Sequence, residues 1–281
     1  MLTINTNNGA ITAAKAAKNA QIQMDQAMMR LSTGKRLNSA KDDPGSLTVA
    51  IRMTAEINSL TTSLKNASDA QSAVDTGEAA LAEIQVLLLR LRELAVQSST
   101  ETTTTADRAA LNSEVSALET EIDRIGNSTT WGGINLLNGT YSKASPIVFQ
   151  IGPNDGETLS FTMGFVKATA AVTAQGTLGL TSDVLTRTKA SAYISTIDGA
   201  ISVVSSRRGS FGAVSNRLDS TITNIRNMQA NILTAKGQIE DTDYAAETAN
   251  LARAQILLQA ATAMLSQANA SKQMMLTLIN S

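Results

Sequence analysis

Apolar positions recur at helical spacing over most of this chain. Leu60, Leu64, Ala67, Val74, Leu81, Ile84, Leu88, Leu91 and Ala95 are separated by steps built from three and four. Such steps place them on one face of a helix of about 50 residues, about 75 Å long. A second helix is predicted after Thr105-Ala106-Asp107, with Leu111, Val115, Leu118, Ile122 and Ile125 as its stripe. Ile194, Ile197, Ile201 and Val204 begin another helix, and Val214, Leu218, Ile222, Ile225, Ile232 and Ile239 continue it. Gly209 and Gly212 fall between these two sets and predict a local change of phase.

The ends carry the same period. Ile4, Ile11, Ile22 and Met29 stand at helix-compatible offsets. Near the other end, Leu251, Ala254, Leu258, Ala261, Leu265 and Ala268 form one face, and Leu257, Ala260, Met264, Ser271, Met274 and Leu278 form its neighbour. Two adjoining apolar faces exceed what one partner helix covers, so both ends are expected to complete their burial only on assembly. Pro44 and Gly45 predict a joint in the first arm, and residues 238–244 predict an acidic joint in the second.

Between the arms the pattern changes. Residues 126–183 contain 9 of the 17 glycines, two of the three prolines and the single Trp. Residues 147–151 and 158–163 alternate at period two around Pro153-Asn154-Asp155-Gly156, which predicts a β-hairpin. The fold class expected is mainly α with a small β-hairpin region, built as a long antiparallel bundle or coiled coil from N- and C-terminal arms.

Composition narrows the function. The 281 residues include no Cys and no His, which excludes disulfides, thiolate chemistry and imidazole-based catalysis or metal binding. A net charge of -1 argues against polyanion partners, so no nucleic acid is expected. No run approaches 18 apolar residues, so no membrane insertion is expected, and Met1–Ala10 lacks the layout of a cleaved signal peptide. Glu240, Asp241, Asp243 and Glu247 cluster without EF-hand spacing at a helix start, where capping explains them; Asp42 and Asp43 read the same way. Arg90, Arg92 and Glu93 read as a solvated charged face with salt bridges between chains. Met24, Met28, Met29, Met264, Met274 and Met275 read as adaptable packing residues. No nucleophile, base and oxyanion donor come together. We expect no catalysis, no metal and no cofactor.

Several longer motifs occur in order. Arg30-Leu31-Ser32-Thr33-Gly34-Lys35-Arg36-Leu37-Asn38-Ser39-Ala40-Lys41-Asp42-Asp43, Leu91-Arg92-Glu93-Leu94-Ala95-Val96-Gln97-Ser98 and Ile239-Glu240-Asp241-Thr242-Asp243-Tyr244-Ala245 are the most specific. With Ile4-Asn5-Thr6-Asn7, Phe149-Gln150-Ile151-Gly152 and the segment Gln255–Asn269, they make the chain resemble bacterial flagellin over about 1–163 and 190–281. Trp131-Gly132-Gly133 stands where the family usually has Phe-Asn-Gly, and the room for an outer domain is small.

The resemblance implies a structural subunit that polymerises into the flagellar filament for motility. The alternatives are a hook–filament junction protein and a coiled-coil signalling module. It implies an inner coiled-coil domain of 1–44 with 240–281, a helical-bundle and hairpin domain of 45–163 with 190–239, and a short variable surface segment, 164–189. Self-assembly would rest on Ile4, Ile11, Ile22, Met29, Leu251, Leu257, Leu258, Met264, Leu265, Met274 and Leu278. The partners implied are further copies of itself, an export chaperone at the C-terminal region, the filament cap, hook-associated proteins and the type III export apparatus. The location implied is the extracellular filament. The family's immune-recognition surface maps to Leu88, Arg92 and Leu94, with Glu114 facing it.

Overall fold

A computed structural model describes residues 6–139, 146–164, 166, 168, 178–180 and 183–279, with the side chains of the last helix described as far as Met274. Among the described residues five helices carry the fold: α1 (Asn8–Thr33), α2 (Pro44–Ser98), α3 (Thr105–Ser128), α4 (Arg187–Glu240) and α5 (Tyr244–Ile279). Two antiparallel hairpins lie between α3 and α4. One pairs β1 (Thr130–Trp131) with β2 (Ile134–Asn135), and the other pairs β3 (Ile147–Gln150) with β4 (Thr158–Phe161).

Side chains start and stop these elements as local chemistry requires. The Asn7 side chain caps α1 by accepting from the Ala10 amide, and Gly34 ends the helix at φ 71°, a left-handed turn that glycine adopts without strain. Asp43 Oδ1 accepts from the amides of Gly45 and Ser46 at the start of α2, where Pro44 supplies the first helical position. Thr104 and Asp107 form a reciprocal capping box on α3. Asp243 caps α5 through the amides of Ala245 and Ala246. The capping expected of Asp43 and Asp243 is therefore present, whereas Asp42 folds the preceding loop through the Asn38 and Ser39 amides. The expected change of phase at Gly209 and Gly212 is absent: α4 passes through both without a break.

Two compact units divide the chain, Met1–Ile57 with Ala230–Ser281 and Asn58–Gln229. In the second unit, α2 and α4 run antiparallel. Thr61 meets Gln229, Gln71 meets Ser215, Glu78 meets Arg208 and Arg92 meets Asp198, in reverse order along the two helices. Leu81, Ile84, Leu88, Leu91, Ile122, Tyr193, Ile197, Phe211 and Leu218 are buried between α2, α3 and α4. Trp131, Phe149 and Phe161 form an aromatic cluster, with the two phenylalanine rings stacked at 5.9 Å.

The segment expected to be a variable surface turns out to complete this core. Val166, Ala168, Leu178, Leu180 and Val184 are buried. Described residues of its backbone are tied down: the Val166 amide donates to the Leu137 carbonyl, the Ala168 amide to Asp123 and the Val184 amide to Asn112, while the Ser98 hydroxyl donates to the Val184 carbonyl. Buried amides need such partners. Gly126 lets the strap approach α3, because a Cβ there would overlap the Val166 carbonyl oxygen.

Beside the strap, Tyr193 donates its hydroxyl to Glu119, and burial pushes the Glu119 carboxyl above its ordinary value. Two outcomes follow for stability. Gly126→Ala should destabilise the protein by about 1–3 kcal/mol in a denaturant titration, through overpacking against backbone that cannot yield. Because the Glu119 carboxyl holds its proton more tightly in the fold than in the unfolded chain, its ionisation costs stability as pH rises from 4.5 through the raised value. Glu119→Gln keeps an acceptor for Tyr193 and removes that cost, so the variant should gain on the parent between pH 4.5 and 7; parallel stability curves over that range would refute this.

Candidate assembly surfaces

The first unit is built on α1 and α5, which pack antiparallel. The Asn7 amide donates to the Ala268 carbonyl at 3.0 Å, Arg30 faces Glu247 at 3.7 Å, and the Thr242 amide donates to the Gly34 carbonyl at 3.0 Å. Ala13, Ala20 and Ala27 are buried at intervals of seven on α1, and Ala254 and Ala261 at the same interval on α5. A seven-residue repeat is the seam of a coiled coil, and alanine at the seam brings the two backbones close.

This seam divides the residues expected to drive self-assembly. Leu251, Leu258 and Leu265 are half-buried beside Ala254 and Ala261, on the face of α5 turned to α1. They contribute first to the subunit itself. Ile11, Ile22, Met29, Leu257, Met264 and Met274 are exposed; Ile22 keeps 54% and Met264 63% of its surface. Ile256 and Met28 extend the exposed set. Ile4 lies outside the described residues, as does the side chain of Leu278. A shallow apolar groove of about 530 Å³ runs between the helices, lined by Gly9, Thr12 and Ala16 on one side and Leu257, Met264 and Ala268 on the other.

A joint closes the end of the pair. Lys35 and Asp241 form a β-bridge, the Arg36 amide donates to the Glu240 carbonyl, and Lys35 and Lys236 both pair with the Glu240 carboxylate. The hydrogen bond from Lys35 holds the Glu240 carboxyl below its ordinary value. Of the acidic cluster noted in the sequence, Asp243 thus caps a helix, while Glu240 and Glu247 serve ion pairs.

The residues mapped to an immune-recognition surface separate as well. Leu88 is 0% and Leu94 1% exposed, so their side chains belong to the core rather than to a surface. Both sit on the stripe that contains Leu81, Ile84 and Leu91, and that stripe turns inward. Arg92 is exposed and pairs with Asp198 at 2.7 Å. Glu114 faces Arg90, at 2.8 Å, not Arg92. The Arg90 bridges to Glu93 and Glu114 lie within one chain instead of between chains. The exposed apolar side chains of this stretch are Val86, Leu89 and Val96.

Among the described residues, no group of three acidic side chains is placed to hold a metal ion, and no helix is long and apolar enough to cross a membrane. What the arrangement offers is a pair of long helices with unspent apolar surface. The bacterial flagellin N-terminal helical region matches residues 4–142, and the bacterial flagellin C-terminal helical region matches residues 194–279. The chain belongs to the bacterial flagellin family. A flagellin of Halalkalibacterium halodurans is 38% identical over 97% of this chain and 98% of its own length. Flagellin B of Vibrio cholerae is 30% identical over 99% of each chain. The crystal structure of Bacillus cereus flagellin is 30% identical and covers 57% of this chain and 88% of its own, with a TM-score of 0.49. This flagellin is a structural subunit of the bacterial flagellar filament, an extracellular polymer in which its main partner is a further copy of itself.

Sequence reasoning missed the ion pair of Arg30 with Glu247 and the role of the N-terminal alanines. The seven-residue spacing of Ala13, Ala20 and Ala27 was the available signal; it is quiet because small residues barely register as apolar. For the joint, Glu240→Gln should cost no more than about 1 kcal/mol at neutral pH. Since the Glu240 value is depressed, the pair contributes above 4.5 and its contribution disappears as pH falls through the depressed value. Denaturant titrations of parent and variant should therefore converge in acid, and a gap that persists there would contradict the assignment.

Proposed function

We propose that the filament grows by burial of the outward faces of α1 and α5 against neighbouring copies. The single observation that supports this is the exposure of Ile11, Ile22, Met29, Leu257, Met264 and Met274 in a unit whose internal seam is already closed by alanine. Each Å² of apolar surface removed from water is worth about 25 cal/mol, so a few such side chains per contact suffice to hold a polymer of many repeated contacts. Contacts of this kind are heterologous and extend without closing a ring.

The same exposure accounts for the remaining partners in this reading. A subunit with uncovered apolar helices needs a chaperone at residues 245–281 before export. Export through the type III apparatus suits a chain with no Cys to cross-link in transit. Addition beneath a cap, next to hook-associated proteins at the base, then converts the exposed faces into buried ones.

The test is substitution on the outward face alone. Met264→Glu should raise the critical concentration for polymerisation by about tenfold or more, measured by sedimentation after seeding with filament fragments. Its helical circular dichroism should stay at the parental level, because Met264 lies off the alanine seam. Normal polymerisation of Met264→Glu together with Ile22→Glu would sink the reading.

A further inference from the structure

Sulfur in this chain is confined to 10 methionines, since there is no Cys. The fold sorts them by access. Met163 is 0% exposed and sits in the core of the second unit, its Sδ close to Gly77 on α2. Met24 and Met53 are half-buried. Met228 keeps 38% of its surface. In the unit built on α1 and α5, Met28 and Met29 keep 45% and 52%, Met264 63% and Met274 58%. Met1 and the Met275 side chain lie outside the described residues. The most accessible thioethers among the described residues therefore stand on the helix pair whose outward faces are proposed to be buried on assembly.

Two of them sit where the polarity of a single side chain matters most. Met264 lines the apolar groove beside Leu257, across from Gly9, Thr12 and Ala16. At about 100° per residue, Met29 shares with Ile11 and Ile22 the side of α1 opposite Ala13, Ala20 and Ala27. Ile11, Ile22 and Leu257 are hydrocarbon and inert to mild oxidants. A thioether is as apolar as they are until it takes up one oxygen atom, and then it is polar.

We propose that Met29 and Met264 are peroxide-modification sites, and that their oxidation stops a free subunit from joining the filament. The oxidant is a peroxide. A lone pair of Sδ takes one oxygen atom from hydrogen peroxide, the O–O bond breaks, and the second oxygen leaves as water with the proton of the first. The sulfur is oxidised by two electrons and the peroxide is reduced by two. The sulfoxide oxygen accepts hydrogen bonds from water and loses them when its face is buried against apolar surface. A subunit already in the filament has both sulfurs covered, so oxidation marks only the unassembled state.

The modification is reversible. Two thiols restore the sulfide, becoming a disulfide and releasing the oxygen as water, which is the reaction of methionine sulfoxide reductases. The chain has no thiol of its own, so the reductant comes from outside it. This deepens the proposed function as a control on the same surfaces, and rests on its reading that the outward faces of α1 and α5 are buried in the polymer.

The test treats full-length, unassembled protein with hydrogen peroxide and follows each methionine by peptide mass spectrometry. Met29 and Met264 should gain oxygen well ahead of Met163. The treated protein should keep its helical circular dichroism, while its critical concentration for seeded polymerisation rises about tenfold. Methionine sulfoxide reductase with dithiothreitol should bring that value back. Protein oxidised at both positions that still polymerises at the untreated critical concentration overturns the proposal. The double variant Met29→Leu, Met264→Leu checks the assignment, because leucine keeps the volume and removes the sulfur. It is compared with its own untreated sample, and peroxide should not shift its critical concentration. A shift as large as the parent's places the effect on other methionines and overturns the assignment. Preformed filaments under the same treatment should retain reduced Met29 and Met264. The Met264→Glu result separates the two levels. If Met264→Glu blocks growth while oxidation does not, the redox proposal alone is wrong. If Met264→Glu grows normally and filaments are oxidised at both positions as fast as free subunits, the assembly reading beneath it is wrong too.

Discussion

The first unit depends on how closely two helices can approach. Ala13, Ala20 and Ala27 are buried on α1, and Ala254 and Ala261 are buried at the same interval on α5. Small side chains at these positions let the two backbones approach. Isoleucine, leucine and methionine are thereby displaced to the flanks and the outer side. In a globular domain that arrangement would be a liability, since a contiguous exposed apolar surface promotes association. In a filament subunit association is the function, and under the proposed assembly the same arrangement supplies it.

The second unit solves the burial problem the other way. Its core is made of leucine, isoleucine and valine from α2, α3 and α4, with Tyr193 and Phe211, and it is closed by a strap instead of by a neighbour. The strap is held by side-chain acceptors on α3, Asn112 and Asp123, and by a glycine that admits its backbone. Every one of these is short or small, so the closure is specific to position rather than to hydrophobicity. The rim of ion pairs, such as Arg92 with Asp198 and Arg90 with Glu114, is exposed and contributes little to stability. Large residues inside and charges such as Arg92 and Glu114 outside distinguish this unit from the one built on α1 and α5.

The helices and the β3–β4 hairpin were legible because each repeats one period over many residues. Their boundaries followed from Pro44, Asp243 and the Thr105–Asp107 start signal. Less legible was which face of a helix turns inward. Leu251 and Leu257 belong to stripes of equal spacing and similar hydrophobicity, and only the partner helix distinguishes them. Leu88 and Leu94 show the converse error: a motif drew attention to them as surface, although Leu88 lies on the core stripe by its own spacing and Leu94 is buried beside it. Gly209 and Gly212 predicted a change of phase that did not occur, because about 1 kcal/mol per glycine is small beside the packing of a 54-residue helix. The strap was illegible for a different reason. Its hydrogen bonds join residues far apart in the chain, such as Asp123 with Ala168, and leave no local pattern.

Hydrophobic burial is not directional, so it cannot set a register by itself. Rows of alanine seven residues apart on both helices would fit nearly as well after a slip of one heptad, about 10 Å along the axis. What distinguishes the observed register is polar. Glu247 occupies the position one heptad before Ala254, where another alanine would make the seam continuous, and a slip would leave this buried carboxylate facing apolar side chains instead of Arg30. At one end Asn7 fastens α1 to the Ala268 carbonyl, and at the other Lys35 and Asp241 pair through their backbones. Each of these is weak alone, yet each is satisfied in one register only. The apolar residues therefore supply the free energy of pairing, and a few charged and amide groups decide which of several near-equal pairings is kept.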